Sequence, residues 1–433
     1  MIFILSQDCK NQIKVISHTK QTIIIMKKKF LQMAKMRHRA IIICFLITTF
    51  AQAQDEGNKS MEIYGFIMTD IGYNFNQIQP DWYDVVRPTK LPAFENQYGP
   101  DGSYYASVRQ TRLGFKNYFD TGIGELKTQF EFELFGTGVD AGQTTFRLRH
   151  AYAELGKFGA GQTWSPFMDI GVFPNSLEYW GPTGMVFFRN IQIRYMPIQG
   201  DTRLTIALER PGASADQGDY ANRVELQDVK ARFPLPDLSA EYHVGTKWGY
   251  VELAGIVRKI EWKDLNNDQY DLSGDAVGWG LNLSTNINFS KNDVFRGQVV
   301  YGEGIQNYMN DAPVDIGIQN NFGNPVTPVK GVTLPLIGVV AFLDHTWSEK
   351  FSTAIGYSMI DIDNSDGQTD DAFKKGQYIL GNLLYTPVKN CMVGVEFQWG
   401  NRENFNDGWS TSINKLQFSF KYNFSQSFYK KNQ

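Results

Sequence analysis

Seven arginines stand on strand faces that otherwise carry polar side chains, and that pattern points to anion binding. Arg112 shares a face with Gln110, Gly114 and Lys116. Arg147 and Arg149 share a face opposite Phe146 and Leu148. Arg194 stands with Asn190 and Gln192, opposite Ile191, Ile193 and Tyr195. Arg203 stands with Thr205 and Glu209, opposite Leu204, Ile206 and Leu208, and Arg258 and Arg296 take the same face on later segments. A guanidinium is always charged and meets a carboxylate through two parallel hydrogen bonds. A ladder of such groups along a narrow aqueous passage favours anions, carboxylates above all. The competing arrangement is a wall network, in which Glu131, Glu133, Glu252 or Glu396 neutralises the same arginines.

Other chemistry is poorly supplied. Beyond the first 53 residues there are three histidines, His150, His243 and His345, at no metal-ligand spacing. No serine sits in a Gly-x-Ser-x-Gly elbow. Neither an enzyme nor a cofactor is expected. Asp264-Leu265-Asn266-Asn267-Asp268 begins like a calcium loop, but Gln269 replaces the turn glycine and Asp275 the closing glutamate. A solvated acidic loop is the simpler expectation there, and the stretch 361–371 is equally ambiguous.

The elements that must carry these side chains are strands. From Val277 to Phe289, Val277, Trp279, Leu281, Leu283, Thr285, Ile287 and Phe289 alternate with small and polar residues. Leu126 to Leu134 and Leu416 to Phe424 alternate in the same way. A period of two means strands. Many segments run 10 to 14 residues, whereas soluble strands usually run about five or six and a tilted membrane strand needs roughly 9–11. Short turns fall near 120–123, 156–158, 198–200, 248, 290–292, 349 and 388–390. Longer connections fall near 76–105, 136–144, 166–187, 210–236, 263–275, 304–334, 363–375 and 402–410. Seven turns and eight loops join 16 strands with both termini on the tight-turn side. The fold class expected is all-β, a transmembrane antiparallel β-barrel with short periplasmic turns and long extracellular loops.

Helical spans are excluded, because the longest apolar run, Leu336 to Leu343, has eight residues, well short of the roughly 18 that a helix needs. Aromatic residues near strand ends, such as Trp262, Tyr301, Trp347 and Trp399, suit interfacial girdles. By strict alternation His150 points outward, where a subunit interface would suit it better than lipid. The loop from Phe167 to Phe187 is unusually apolar, which suggests that it folds inward as a constriction.

The start of the chain has the layout of a secretory signal. Lys27, Lys28, Lys29, Lys35, Arg37 and Arg39 precede an apolar stretch from Ala40 to Phe50 and the small-x-small triplet Ala51-Gln52-Ala53. Cleavage is expected after Ala53, giving a leader of residues 1–53 and a barrel domain of residues 54–433. Met26 opens a more ordinary leader than Met1 does, so residues 1–25 could be an over-long start. Residues 1–53 hold nine Lys/Arg and one Asp/Glu, so the remainder carries 33 basic and 44 acidic residues, a net charge of −11. An acidic chain of this kind argues against nucleic acid as a partner. Cys391 is the one cysteine beyond the leader, so no intrachain disulfide is expected there.

Three motifs resemble the DcaP-like family of trimeric outer-membrane porins. They are Arg109-Gln110-Thr111-Arg112-Leu113-Gly114-Phe115, Phe146-Arg147-Leu148-Arg149-His150-Ala151-Tyr152 and Gly161-Gln162-Thr163-Trp164-Ser165-Pro166-Phe167. The resemblance implies a trimer of 16-stranded barrels admitting small anionic solutes such as dicarboxylates, with pore arginines as the attractive groups. Arg112, Arg147 and Arg149 are reached by motif; Arg194, Arg203, Arg258 and Arg296 rest on the face assignment alone. Two departures stand out. Phe424 fits the terminal aromatic of such barrels, yet Ser425 to Gln433 extend past it, and only Gln54 to Met61 precede the first strand, with no coiled-coil extension. The expected partners are small anionic solutes, outer-membrane lipid and lipopolysaccharide, and further copies in a homotrimer. The alternatives are a phosphate- or oligosaccharide-selective porin and a non-conducting structural or adhesive barrel.

Overall fold

The structure, a computed structural model, describes residues 59–430; the expected leader and its cleavage site, with Cys9 and Cys44, lie outside the described residues. The first four strands are β1 (Lys59–Asn74), β2 (Ser103–Ser107 continued by Arg112–Thr121), β3 (Gly124–Phe135) and β4 (Thr144–Leu155). Then come β5 (Phe158–Trp164), β6 (Arg189–Ile198), β7 (Thr202–Glu209) and β8 (Asp237–Thr246). The second half holds β9 (Gly249–Asp264), β10 (Gly274–Asn288), β11 (Asp293–Glu303) and β12 (Pro335–Thr346). The last four are β13 (Phe351–Ile362), β14 (Phe373–Val388), β15 (Cys391–Asn404) and β16 (Ser410–Lys430). Each pairs antiparallel with its sequence neighbour, and β16 closes on β1 from Lys430↔Lys59 to Lys415↔Asn74. The result is a closed antiparallel barrel of 16 strands. Val229–Arg232, beside β9, and the hairpin of Ile316–Asn320 with Val329–Thr333 are additions within external loops.

The turns and loops follow the expected alternation. Tight turns at 122–123, 156–157, 199–201, 247–248, 289–292, 347–350 and 389–390 lie on the side of both described ends. The opposite side carries loops L1 (75–102), L2 (136–143), L3 (165–188), L4 (210–236), L5 (265–273), L6 (304–334), L7 (363–372) and L8 (405–409). Closure matters physically because hydrocarbon offers no hydrogen bonds to a strand edge. Alternation sorts the two faces. On β10, Val277, Leu281 and Leu283 are exposed outward, while Asn282 and Ser284 are buried inward.

Three local departures from the expected pattern have clear causes. On β12, Leu336, Val340 and Phe342 are buried inward while Ile337 and Leu343 face out. This run is apolar on both faces because L3 packs inside the barrel, with Phe167, Met168, Val172, Met185 and Val186 joining that inner wall in one core. His150 faces inward, contrary to its parity. The β3–β4 register passes from Glu131↔His150 to Phe132↔Leu148, leaving Arg149 as an extra residue. Such a bulge reverses the alternation beyond it, so His150 is buried with Nδ1 3.0 Å from Thr163 Oγ1. Trp262 is no girdle residue either; it turns inward toward the loops, and its indole donates to the Leu272 carbonyl at 2.9 Å. Tyr301 and Trp347 are exposed, as a girdle requires.

Candidate pore constriction

L3 is fixed inside the barrel by polar contacts as well as packing. Glu396 on β15 accepts the backbone N–H groups of Leu177 at 2.7 Å and Glu178 at 3.0 Å. Asp169 accepts from the Tyr250 hydroxyl and from Ser284, each at 2.7 Å. Glu178 in turn accepts the N–H groups of Val86 in L1 and Gly181. L1 and L6 are clasped over it. Arg87 lies between two indoles, 4.2 Å from Trp82 and 4.0 Å from Trp180, and pairs with Asp311 at 2.9 Å. A guanidinium between two π faces gains attraction without losing its planar hydrogen bonds. Burial and the neighbouring Arg87 charge lower the pKa of Lys90 in the same clasp.

The wall opposite L3 gathers the first group of sequence-predicted arginines. Arg149 is buried and pairs with Glu131 at 2.6 Å and Glu133 at 2.8 Å. Arg112 reaches Glu133 at 3.1 Å and Glu131 at 3.7 Å. Arg147 lies 3.8 Å from Glu133 and remains partly exposed. The Tyr179 hydroxyl, at the tip of L3, donates to Glu133 and so ties the loop to this cluster. The bulge at Arg149 is what brings Arg147, Arg149 and His150 onto one inner surface.

The remaining predicted arginines are dispersed. Arg203 pairs with Glu252 at 2.6 Å and Glu241 at 3.2 Å near the periplasmic mouth, where Lys247 and His243 line an open cavity of about 580 Å³. Arg258 is fully enclosed, paired with Asp237 at 2.9 Å and Asp315 at 2.8 Å, and serves to anchor L6. Arg296 pairs with Asp344 at 2.6 Å and donates to the Gly171 carbonyl of L3. Arg194 is different. It bonds the Gln192 carboxamide at 2.8 Å and the Trp164 carbonyl at 2.5 Å, lies 5.2 Å from the Tyr152 ring, and forms no ion pair among the described residues.

Lys421 and Arg189 are among the cations not singled out from the sequence. Lys421 extends over the Phe66 ring at 4.1 Å. Arg189 has a parity that would turn it outward with its partner Trp164, since Asn190 and Gln192 are the buried residues there. It instead occupies a slot where β4 leaves β5. The β4–β5 ladder ends at Ala151↔Gln162, and Gln162 turns its carboxamide to the carbonyls of Leu148 and Arg149. Arg189 lines a cavity of about 280 Å³ there with Arg147, Tyr179, Trp180 and Asn310. The only sequence signal for it was its place at the exit of L3.

The comparisons with known proteins agree with this architecture. Residues 11–424 match the family model described as DcaP outer membrane protein. The crystal structure of the outer membrane channel DcaP of Acinetobacter baumannii superposes with a TM-score of 0.69 at 22% identity, covering 84% of this chain and 97% of that one. An anion-selective porin from Comamonas acidovorans gives 0.55 at 12% identity over 84% of this chain and all (100%) of that one. The trimer form of OmpT from Vibrio cholerae gives 0.51 at 12% identity, covering 84% and 99%. No curated protein matches by sequence.

Proposed function

Because the chain belongs to the DcaP outer membrane protein family, and is therefore an outer-membrane β-barrel of the porin class, we propose that it is a passive channel preferring small anions such as dicarboxylates. The observation that carries this reading is a charge imbalance along the lumen wall. Arg112, Arg147 and Arg149 share two carboxylates, Glu131 and Glu133, and Arg194 has none within 4 Å among the described residues. A surplus of positive charge along a pore wall sets ion preference more strongly than net charge spread over outer loops. The anion selectivity named for the Comamonas porin supports the same reading. We propose further that residues 1–53 are removed on export, leaving the barrel of residues 54–433, and that it works as a homotrimer, in keeping with the trimer form of OmpT.

The test is the reversal potential of the purified protein in a planar bilayer under a potassium chloride gradient. Chloride preference supports the proposal, and potassium preference overturns it. A second reading, a structural barrel closed by its own loops, draws on the packing of L1, L3 and L6 against β9–β14. It requires that no conductance be seen at all.

A further inference from the structure

The lumen cations fall into two chemical kinds. Arg112, Arg147, Arg149, Arg203, Arg258 and Arg296 each stand within 4 Å of a carboxylate. Lys116, Lys421 and Arg194 have no such carboxylate among the described residues, and all three are partly exposed. Each is backed instead by an aromatic face. Lys116 Nζ lies 4.7 Å from the Tyr64 ring, Lys421 Nζ 4.1 Å from Phe66 and the Arg194 guanidinium 5.2 Å from Tyr152. Lys415, Arg402 and Arg189 also lack a carboxylate within 4 Å, but Lys415 and Arg402 are buried and donate to backbone carbonyls of Asp84, Thr89 and Asp371, and Arg189 stands in the wall slot against Trp164, outward of the lumen face by its parity.

The two tyrosines are set in place by glycines. Tyr64 lies flat on Gly114, its register partner on β2. Tyr152 lies across Gly159, where an added Cβ would come within 2.6 Å of the ring carbon Cζ. One hydrogen-bonded row joins them across the wall. It runs from Lys116 to Gln129, Tyr152, Gly161 and Gln192, and the Gln192 carboxamide holds Arg194.

We propose that anion selectivity is set by Lys116, Lys421 and Arg194, whose charges are held by aromatic faces, and that the ion-paired arginines are braces of the wall. This rests on the anion-channel reading above and says which residues carry it. An ion pair presents a passing solute with two opposite charges whose fields largely cancel. A cation on a π face keeps its unit charge, because the ring is neutral and attracts only through its quadrupole. The ring also occupies the wall side of the cation, so the open side faces the lumen. The ligand class is any small anion, inorganic or carboxylate, met in passing by successive single charges.

The experiment compares chloride-to-potassium permeability ratios in planar bilayers for the full chain and its variants. Lys116→Gln and Arg194→Gln should each lower the ratio by about two- to threefold, the combined effect on attracted chloride and repelled potassium of one unit charge roughly 7 Å away in water, about halved by screening at 0.1 M salt. Lys116→Arg should preserve it. The charge-conserving double variant Arg296→Gln/Asp344→Asn should leave it unchanged. Heat-dependent mobility in detergent gels confirms that each barrel is folded. An anion-selective channel whose ratio ignores Lys116→Gln and Arg194→Gln, or falls as far in the double variant, overturns this inference alone. A wild-type channel without anion preference overturns the broader reading first.

Discussion

Arg189 and Trp164 face each other across the β5–β6 ladder, with the guanidinium 4.8 Å from the indole centre and no carboxylate within 4 Å among the described residues. Its Nη1 has no hydrogen-bond partner. The aromatic face is therefore what holds this charge at the edge of the slot. Trp164→Leu should destabilise the barrel by about 1–3 kcal/mol, combining the lost cation–π attraction with a poorly filled site. Urea unfolding in detergent micelles, followed by far-ultraviolet circular dichroism, measures the shift. An unchanged midpoint would show that Arg189 needs no backing.

Glu133 is the common partner of Arg112, Arg147 and Arg149. Glu133→Gln keeps the shape and removes the charge, leaving guanidinium groups crowded without compensation. We expect a loss of about 3–5 kcal/mol in the same unfolding assay, as for a broken buried pair. Chloride preference should rise in parallel, because positive charge has been unmasked. A stability loss without any rise would place the cluster outside the ion path.

Glu396 holds the tip of L3 by accepting from Leu177 and Glu178. Glu396→Ala removes both hydrogen bonds and leaves two enclosed N–H groups without partners, a cost of roughly 1–3 kcal/mol each. Single-channel records should show larger conductance and frequent transitions between levels. Records as quiet as wild type would mean that the apolar packing of Phe167, Val172 and Met185 suffices to seat the loop.

Selectivity arising from single charges in an aqueous lumen must weaken with salt. The screening length falls from about 10 Å at 0.1 M to about 3 Å at 1 M. Chloride preference should therefore be several-fold smaller at the higher concentration. Preference that persists undiminished would point to a dehydrating contact at the constriction.

The expected leader gives a direct test by mass. The protein isolated from outer membranes should begin at Gln54, with the tract from Lys27 to Ala53 absent. An intact mass that retains those residues would overturn the cleavage assignment.

Much of the fold was legible because lipid imposes a simple rule on each strand. Val277, Leu281 and Leu283 face out while Asn282 and Ser284 face in, and the sequence alternates accordingly. The turn spacing then yields 16 strands. Errors arose where a third partner intervened. Arg147-Leu148-Arg149-His150 reads as perfect alternation, yet an unpaired residue at Arg149 shifts the register, and nothing in the residue types marks it. Trp262 lies at a strand end, but that end continues into the loop cluster, so its neighbours are Leu272 and L6 rather than lipid headgroups. The arginine ladder was legible as positions. So were Glu131, Glu133 and Glu252 as the carboxylates that pair with Arg112, Arg147, Arg149 and Arg203; the partners of Arg258 and Arg296 were not, because Asp315 and Asp344 come from distant segments.

The slot between β4 and β5 bears on how the barrel exists in a membrane at all. Above Ala151↔Gln162, residues Thr144 to His150 have no strand on that flank, and the Gln162 carboxamide covers only the carbonyls of Leu148 and Arg149. Hydrocarbon cannot solvate an open strand edge or a guanidinium such as that of Arg189. This stretch of wall therefore needs water or another polypeptide as its surroundings. A ring of 16 strands is usually a complete answer to the bilayer. Here one of its seams is not, and the homotrimer proposed above would cover it with a second copy.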